Sequence, residues 1–307
     1  MQKIIKSALY VKKEISMKKT LITGPWVGEF GWELMGWHSY LRGLSNHYDI
    51  VCLGPKSSKY IYLDFCKKYI VIERNEIYKN YGSIDMYDCQ NITFKMMQKL
   101  IFEKLSKDLI KESAWLPPSI LVKTKGSHYH HFSEILNFQN KIIKPVYMIF
   151  GNKDMSNKKN HYVFHARNRQ DIRPEDNWSY DKWLFLKEKI INKQPESKIY
   201  SIGKKNSSMW VEGTEDYRNK DLKEVCNILI NSQAVFGPSS GAMHLASQCN
   251  AVSVVWSKEN NKNRYCEWWN PHNTPTLFLG KYKWHPSAAY VFNQFNNWNK
   301  KDIISDI

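Results

Sequence analysis

Apolar residues in this chain fall into short blocks with two different periods. Leu21-Ile22, Ile50-Val51-Cys52-Leu53 and Tyr69-Ile70-Val71-Ile72 are brief continuous runs bounded by Gly, Pro or charged residues. Such runs read as strands buried on both faces of a parallel sheet. They predict strands over 20–23, 48–53 and 69–72. A helix entered beyond Trp26 and running to Leu44 separates the first two, and a helix over 59–68 the next two. Over 94–110, Met97, Ile101, Leu105 and Leu109 recur every fourth residue with lysines between them, which predicts an amphipathic helix. Residues 113–131, with Pro117-Pro118, show neither period and read as irregular. The polar stretch 151–160 reads as a linker.

The alternation resumes beyond it. Strands are predicted over 162–165, 198–202, 234–236 and 252–256, and helices over 180–192, 220–231 and 241–248. Tyr290, Phe292, Phe295 and Trp298 space a last helix within 286–307. Strand–helix alternation in both halves implies an α/β protein of two Rossmann-like parallel-sheet domains. The expected domains are 17–150 and 161–285, with a basic, disordered extension over 1–16.

The composition adds a partner class. The 307 residues include 42% hydrophobic positions, enough for real cores, and carry a formal charge of +16. Such a field draws phosphorylated substrates, anionic membrane surfaces or nucleic acid. Lysines are dispersed rather than clustered, so a biased Lys, Asn and Ile usage explains the charge equally well. The basic face of the 94–110 helix fits either peripheral contact with an anionic membrane or packing on its own domain. No apolar run reaches the roughly 20 residues that span a bilayer. The six cysteines form no C-x-x-C pair, which argues against zinc and for a reducing, cytoplasmic setting. His128, His130 and His131 lack a Cys or carboxylate at ligand spacing, so no metal and no bound cofactor are expected.

The densest chemical signal runs from Val235 to Ser247. A buried strand enters Gly237, Pro238, Ser239 and Ser240, and a helix opens at Gly241, Ala242, Met243 and His244. Free amides at a helix start, together with the positive end of its dipole, make an anion site. The bland alternative is an ordinary strand-to-helix turn. Arg167 and Arg169 directly follow another apolar strand, at the strand end where α/β sheets hold ligands. A guanidinium can pair with two phosphate oxygens at once. In the first half, Glu29 stands on a glycine-flanked turn after the first strand, and Glu33 follows one helical turn later. Either could accept a proton, and either could merely complement a helix dipole. His38 and His244 could line a cleft or pack in a core.

The order of these motifs resembles a family. The segment from His165 to Arg169, Trp178 and Trp183, Asp221-Leu222, the Gly237–Met243 turn, Ala251 to Trp256, and a loop with Arg264, Trp268 and Pro271 is similar to the C-terminal domain of lipopolysaccharide heptosyltransferases, the glycosyltransferase family 9-like group. The His165-x-Arg167 segment is also similar to the donor-binding segment of GT-B-like fucosyltransferases. The resemblance implies the GT-B fold, two such domains facing a cleft. It implies a metal-independent, inverting transfer from a nucleotide-diphosphate sugar, with the diphosphate at the Gly237–Met243 turn. The acceptor would be a glycan or lipid-linked hydroxyl in surface glycan synthesis. Glu29 matches the acceptor-side carboxylate of a Gly-Asp turn. Glu29 replaces Asp, and Ser239 stands where the family commonly has Asn or Asp, which leaves the donor sugar open. A nucleic-acid-modifying transferase and a non-catalytic nucleotide- or glycan-binding protein on the same fold are the competing readings.

Overall fold

The computed structural model describes residues 19–26, 29–72, 101–116, 144–153, 160–170 and 173–298. The chain divides into two compact units between Tyr147 and Met148. The extension over 1–16, the histidines at 128–131, and residues 94–100 and 299–307 of the expected helices lie outside the described residues.

Among the described residues, the first unit is built on four parallel strands: β1 (Thr20–Thr23), β2 (Asp49–Gly54), β3 (Lys68–Val71) and β4 (Ser113–Leu116). Their order is β3-β2-β1-β4. The expected helix after β1 is present as α1 (Phe30–Trp32), a π-helical stretch Glu33–His38 and α2 (Ser39–Leu44). No periodicity in the sequence marks the π stretch. The helix expected over 59–68 is instead a 3₁₀ helix, Lys56–Tyr62. It starts after Pro55, whose fixed φ suits a helix start. It stops short because Lys68 is already paired with Val51 of β2. Strand pairing also overrides the irregular reading of 113–131, since Ser113–Leu116 aligns with Thr20–Thr23 of β1.

The amphipathic helix breaks at Ser106. Its hydroxyl accepts the Leu109 amide at 3.3 Å and starts α3 (Lys107–Glu112). Ile101 and Leu105 are buried with Ile22, Val51, Leu53 and Ile72. The described part of that apolar face therefore serves its own core. No helix among the described residues is long and apolar enough to cross a membrane.

Among the described residues, the second unit holds six parallel strands: β5 (His161–Phe164), β6 (Lys198–Gly203), β7 (Glu215–Arg218), β8 (Ala234–Pro238), β9 (Ser253–Trp256) and β10 (Thr276–Leu279). Their order is β10-β9-β8-β5-β6-β7. The chain winds outward from β5 to β7, returns to the far side of β5, and winds outward again to β10. The crossover between β5 and β8 is the switch point at which doubly wound sheets open a crevice. β7 and β10 lie outside the strands that the sequence predicts. β7 reads Glu-Asp-Tyr-Arg, and as an edge strand it has no need of an apolar run.

Helices α4 (Tyr180–Lys193), α5 (Leu222–Ile230), α6 (Gly241–Gln248) and α7 (Ala288–Asn297) cover this sheet. Trp178, Trp183 and Trp256 meet with ring centroids 4.6 to 5.4 Å apart, beside Phe164 and Phe236. Much of the aromatic content is thus core. α7 closes it with Val291 and Phe295. The start of the expected linker is held by α5: the Asn152 amide donates to Asn227 Oδ1 at 3.0 Å, and Asn231 Nδ2 donates to the Asn152 carbonyl at 3.0 Å.

Candidate functional site

Both sides of the β5/β8 switch point carry chemistry. β5 delivers His165, Ala166 and Arg167, and β8 delivers Ser239 and Ser240. The two segments are bonded to each other. The His165 amide donates to the Phe236 carbonyl at 2.9 Å, and His165 Nδ1 lies 3.0 Å from Ser240 Oγ. Gly237 lets them approach. A Cβ there would fall 2.7 Å from Met243 Sδ and 3.3 Å from the Cβ of His165.

Ser240 is the extended N-cap of α6 (φ −165°) and makes no side-chain cap bond. The first helical residues, Gly241 and Ala242, are half-buried. By position their amides have no partner within the helix. The Ser240 amide is engaged, donating to the Tyr265 hydroxyl at 2.9 Å. That hydroxyl in turn donates to Ser239 Oγ at 2.9 Å. Anion-binding capacity at this turn thus rests on Gly241 and Ala242, with Ser240 Oγ beside them.

Arg167 differs from the expectation of a phosphate fork. Only 3% exposed, it donates from Nη1 to the Ser239 carbonyl at 3.2 Å and from Nη2 to the Asp176 carbonyl at 2.6 Å. Its guanidinium lies 4.8 Å from the Trp284 ring centre. Burial, with Arg169 nearby, lowers its pKa to about 10, so it stays charged at neutral pH. Arg167 therefore fixes the turn and contributes field rather than a free fork. Arg169 is half-buried. Asn177 grips its backbone twice, accepting the Arg169 amide at 3.1 Å and donating to its carbonyl at 2.7 Å. This positions Arg169 beyond the buried strand end.

His165 is held neutral. Burial first, then Arg167 and Arg169, push its pKa down to about 3. Met243 and His244 face inward rather than toward a ligand. Met243 is fully buried, and His244 stacks on Tyr265 at 4.3 Å with its pKa well below the usual value through burial. Their place in the expected anion turn is structural, because side chains this early in α6 back against the sheet.

In the first unit Glu29 is half-buried at the N-cap of α1, its carbonyl accepting the Glu33 amide at 3.1 Å. Gly28 lies outside the described residues. Glu33 is only 1% exposed and accepts the Tyr62 hydroxyl at 2.8 Å and the Ser58 hydroxyl at 3.4 Å. In this arrangement its carboxylate joins the π stretch to the 3₁₀ helix and is withdrawn from solvent. His38 is buried with Nε2 on the Ile61 carbonyl, beside Arg42, which pairs with Asp64. It ties the unit together rather than lining a surface.

Asn177 and Tyr265 are the residues that reading the sequence does not single out, whereas His165 stands in the His165-x-Arg167 segment. Tyr265 has no local signal, for it reaches Ser240 from 25 positions further along the chain. Among the described residues, no three His, Cys, Asp or Glu side chains group as a metal site.

The chain has the fold of GT-B glycosyltransferases and is similar to lipopolysaccharide heptosyltransferases. Against E. coli ADP-heptose lps heptosyltransferase II the TM-score is 0.55 at 12% identity, covering 94% of this chain and 99% of that one. Against E. coli heptosyltransferase WaaC with ADP it is 0.52 at 9% identity, covering 90% and 98%. A glycosyl transferase family 9 protein from Veillonella parvula DSM 2008 gives 0.50 at 10% identity, covering 94% and 92%. No protein-family model and no curated protein matches the chain.

Proposed function

We propose that this protein transfers a sugar from a nucleoside-diphosphate sugar to a hydroxyl of a glycan or lipid-linked acceptor in surface-glycan synthesis. The observation that carries this reading is the meeting of an α-helix start and an arginine-bearing strand end at the switch point of the second sheet. A departing diphosphate needs positive charge and donors that are already in place. The amides of Gly241 and Ala242 and the dipole of α6 supply donors, with Ser240 Oγ as a hydroxyl contact. Arg169 supplies a charge able to reach the phosphates, and the buried Arg167 adds to the field while locking the Ser239 carbonyl. The similar E. coli heptosyltransferase WaaC was solved with ADP, which supports the same ligand class here.

Glu29 takes the proton from the acceptor hydroxyl as the sugar carbon is attacked. It is the half-exposed member of the carboxylate pair, whereas Glu33 is enclosed. Attack opposite the leaving diphosphate gives inversion. With arginines and a helix dipole carrying the countercharge, transfer proceeds without a divalent cation. The donor is drawn from the cytoplasm, a setting consistent with free thiols at Cys52, Cys66, Cys226, Cys249 and Cys266.

Calorimetry and thermal shift with ADP, UDP, GDP and their sugars test the reading. Binding of one nucleoside diphosphate, weakened in Arg169→Ala, is the expected result. If none of them binds, the donor site is not here. Salt-sensitive DNA binding without nucleotide binding would instead favour a nucleic-acid-directed protein.

A further inference from the structure

Ser240 heads α6 as an N-cap that does not cap. Ser106 and Ser287 behave in the ordinary way, accepting the third amide of α3 and of α7 at 3.3 and 3.2 Å. Ser179 and Ser240 take no such bond from their helices. Ser240 has a competing partner, for its Oγ lies 3.0 Å from His165 Nδ1. The histidine is 8% exposed and follows β5, the sheet neighbour of β8. Two glycines leave room for it. Gly237 has no Cβ to press on the Cβ of His165. Gly203 ends β6 with φ +122°, and a Cβ there would fall 3.3 Å from His165 Cδ2 and closer still to Ser208 Oγ.

Taking this turn as the donor site, on which the inference rests, we propose that His165 is a positioning residue: its ring holds the Ser240 hydroxyl off the first turn of α6 and so leaves that turn open to phosphate. A capping serine sets its oxygen over the amide of the second or third helical residue. Here those are Ala242 and Met243, where an anion bound at a helix start would stand. Among the described residues no bond takes the amides of Gly241 or Ala242, and Met243 donates to the Ser240 carbonyl at 3.2 Å. An imidazole suits the task. Burial keeps this one neutral, and a neutral imidazole offers both a lone pair and an N–H. Nδ1 can accept the hydroxyl proton before an anion arrives. With the ring proton on Nδ1 instead, the ring donates to Oγ and the hydroxyl proton turns to a phosphate oxygen. A lysine here could only donate.

The test uses the full chain, isotope-labelled at alanine and methionine. Amide exchange is followed by NMR without ligand, and calorimetry measures binding of ADP, UDP and GDP. In His165→Phe the released hydroxyl is expected to cap α6, so that exchange at Ala242 or Met243 slows and nucleoside-diphosphate affinity falls roughly tenfold. His165→Gln, whose amide reaches past the place of Nδ1, gives the same two changes. His165→Asn, whose amide stands where Nδ1 was, recovers both. In a Ser240→Ala background, where no hydroxyl is left to cap, His165→Phe neither slows exchange nor weakens binding further. A merely structural histidine would give losses that add to those of Ser240→Ala, with exchange at both amides unchanged or faster. Either result overturns the role given to His165. If the wild type binds no nucleoside diphosphate while exchange still answers to His165 through Ser240, the donor-site reading fails and the restraint on the hydroxyl stands.

Discussion

The Tyr265 hydroxyl accepts the Ser240 amide at 2.9 Å and so ties the loop after β9 to the turn after β8. The same oxygen donates to Ser239 Oγ at 2.9 Å. One phenol therefore satisfies both serines that precede α6, and it does so from a buried ring stacked on His244. Tyr265→Phe keeps the stack and removes both bonds. A loss of about 1–3 kcal/mol in stability is expected, with roughly tenfold weaker nucleoside-diphosphate binding. Denaturant unfolding and calorimetry check this; an unchanged binding constant would mean the turn holds its shape without Tyr265.

Arg167 and Arg169 are expected to fail differently. Arg167→Lys cannot span the carbonyls of Ser239 and Asp176, so stability falls by about 2–3 kcal/mol. Arg169→Ala keeps the backbone grip of Asn177, so its loss of melting temperature is expected to be smaller than that of Arg167→Lys. Diphosphate affinity then drops about tenfold. Equal melting losses in both variants would contradict this division.

Glu29→Gln separates chemistry from binding. A fall in kcat of roughly 10²–10⁴-fold is expected with nucleotide affinity retained. Transfer at the wild-type rate would remove Glu29 as the base.

Three buried histidines make stability depend on acid. His38, His165 and His244 all have folded-state pKa values below the ordinary 6.5, in each case through burial first. Below 6.5 the unfolded chain binds protons that the folded chain refuses. Their contribution is complete above that pH and is lost as the pH falls, for His165 down to about 3. The melting temperature should decline between about pH 6.5 and 5, before most carboxylates titrate. His165→Asn should flatten the slope.

Gly237→Ala should cost about 1–3 kcal/mol by crowding Met243. Pairing it with Met243→Ala should cost less than the sum of the two changes, because the second opens the space that the first fills. Strict additivity in the double-mutant cycle would show that the clash is relieved elsewhere.

Much of this architecture could be read from the chain. The α6 boundaries, Gly241–Gln248, follow from a Gly/Pro/Ser turn between two apolar blocks. α5 opens after Asp221, a good N-cap residue. β7 was missed because an edge strand pairs on one side only and can be polar throughout. β4 was missed because its four residues gain their conformation from β1, not from any period of their own. At the site, types and places were legible but roles were not. The sequence marks Arg167 and Glu33 as charges near strand ends, yet only the packing of Trp284 and Tyr62 against them decides that both point inward.

The Trp178, Trp183 and Trp256 cluster has an optical consequence. Indoles 4.6 to 5.4 Å apart couple their electronic transitions, so the second unit is expected to give a circular-dichroism signature generated by its own interior. Heating the protein while following that band reports when this core loosens. Trp26 and Trp37 in the first unit are stacked 6.1 Å apart and give a separate, weaker source. Loss of the coupled signal on heating is thus expected to report the loosening of tryptophan packing without an attached label.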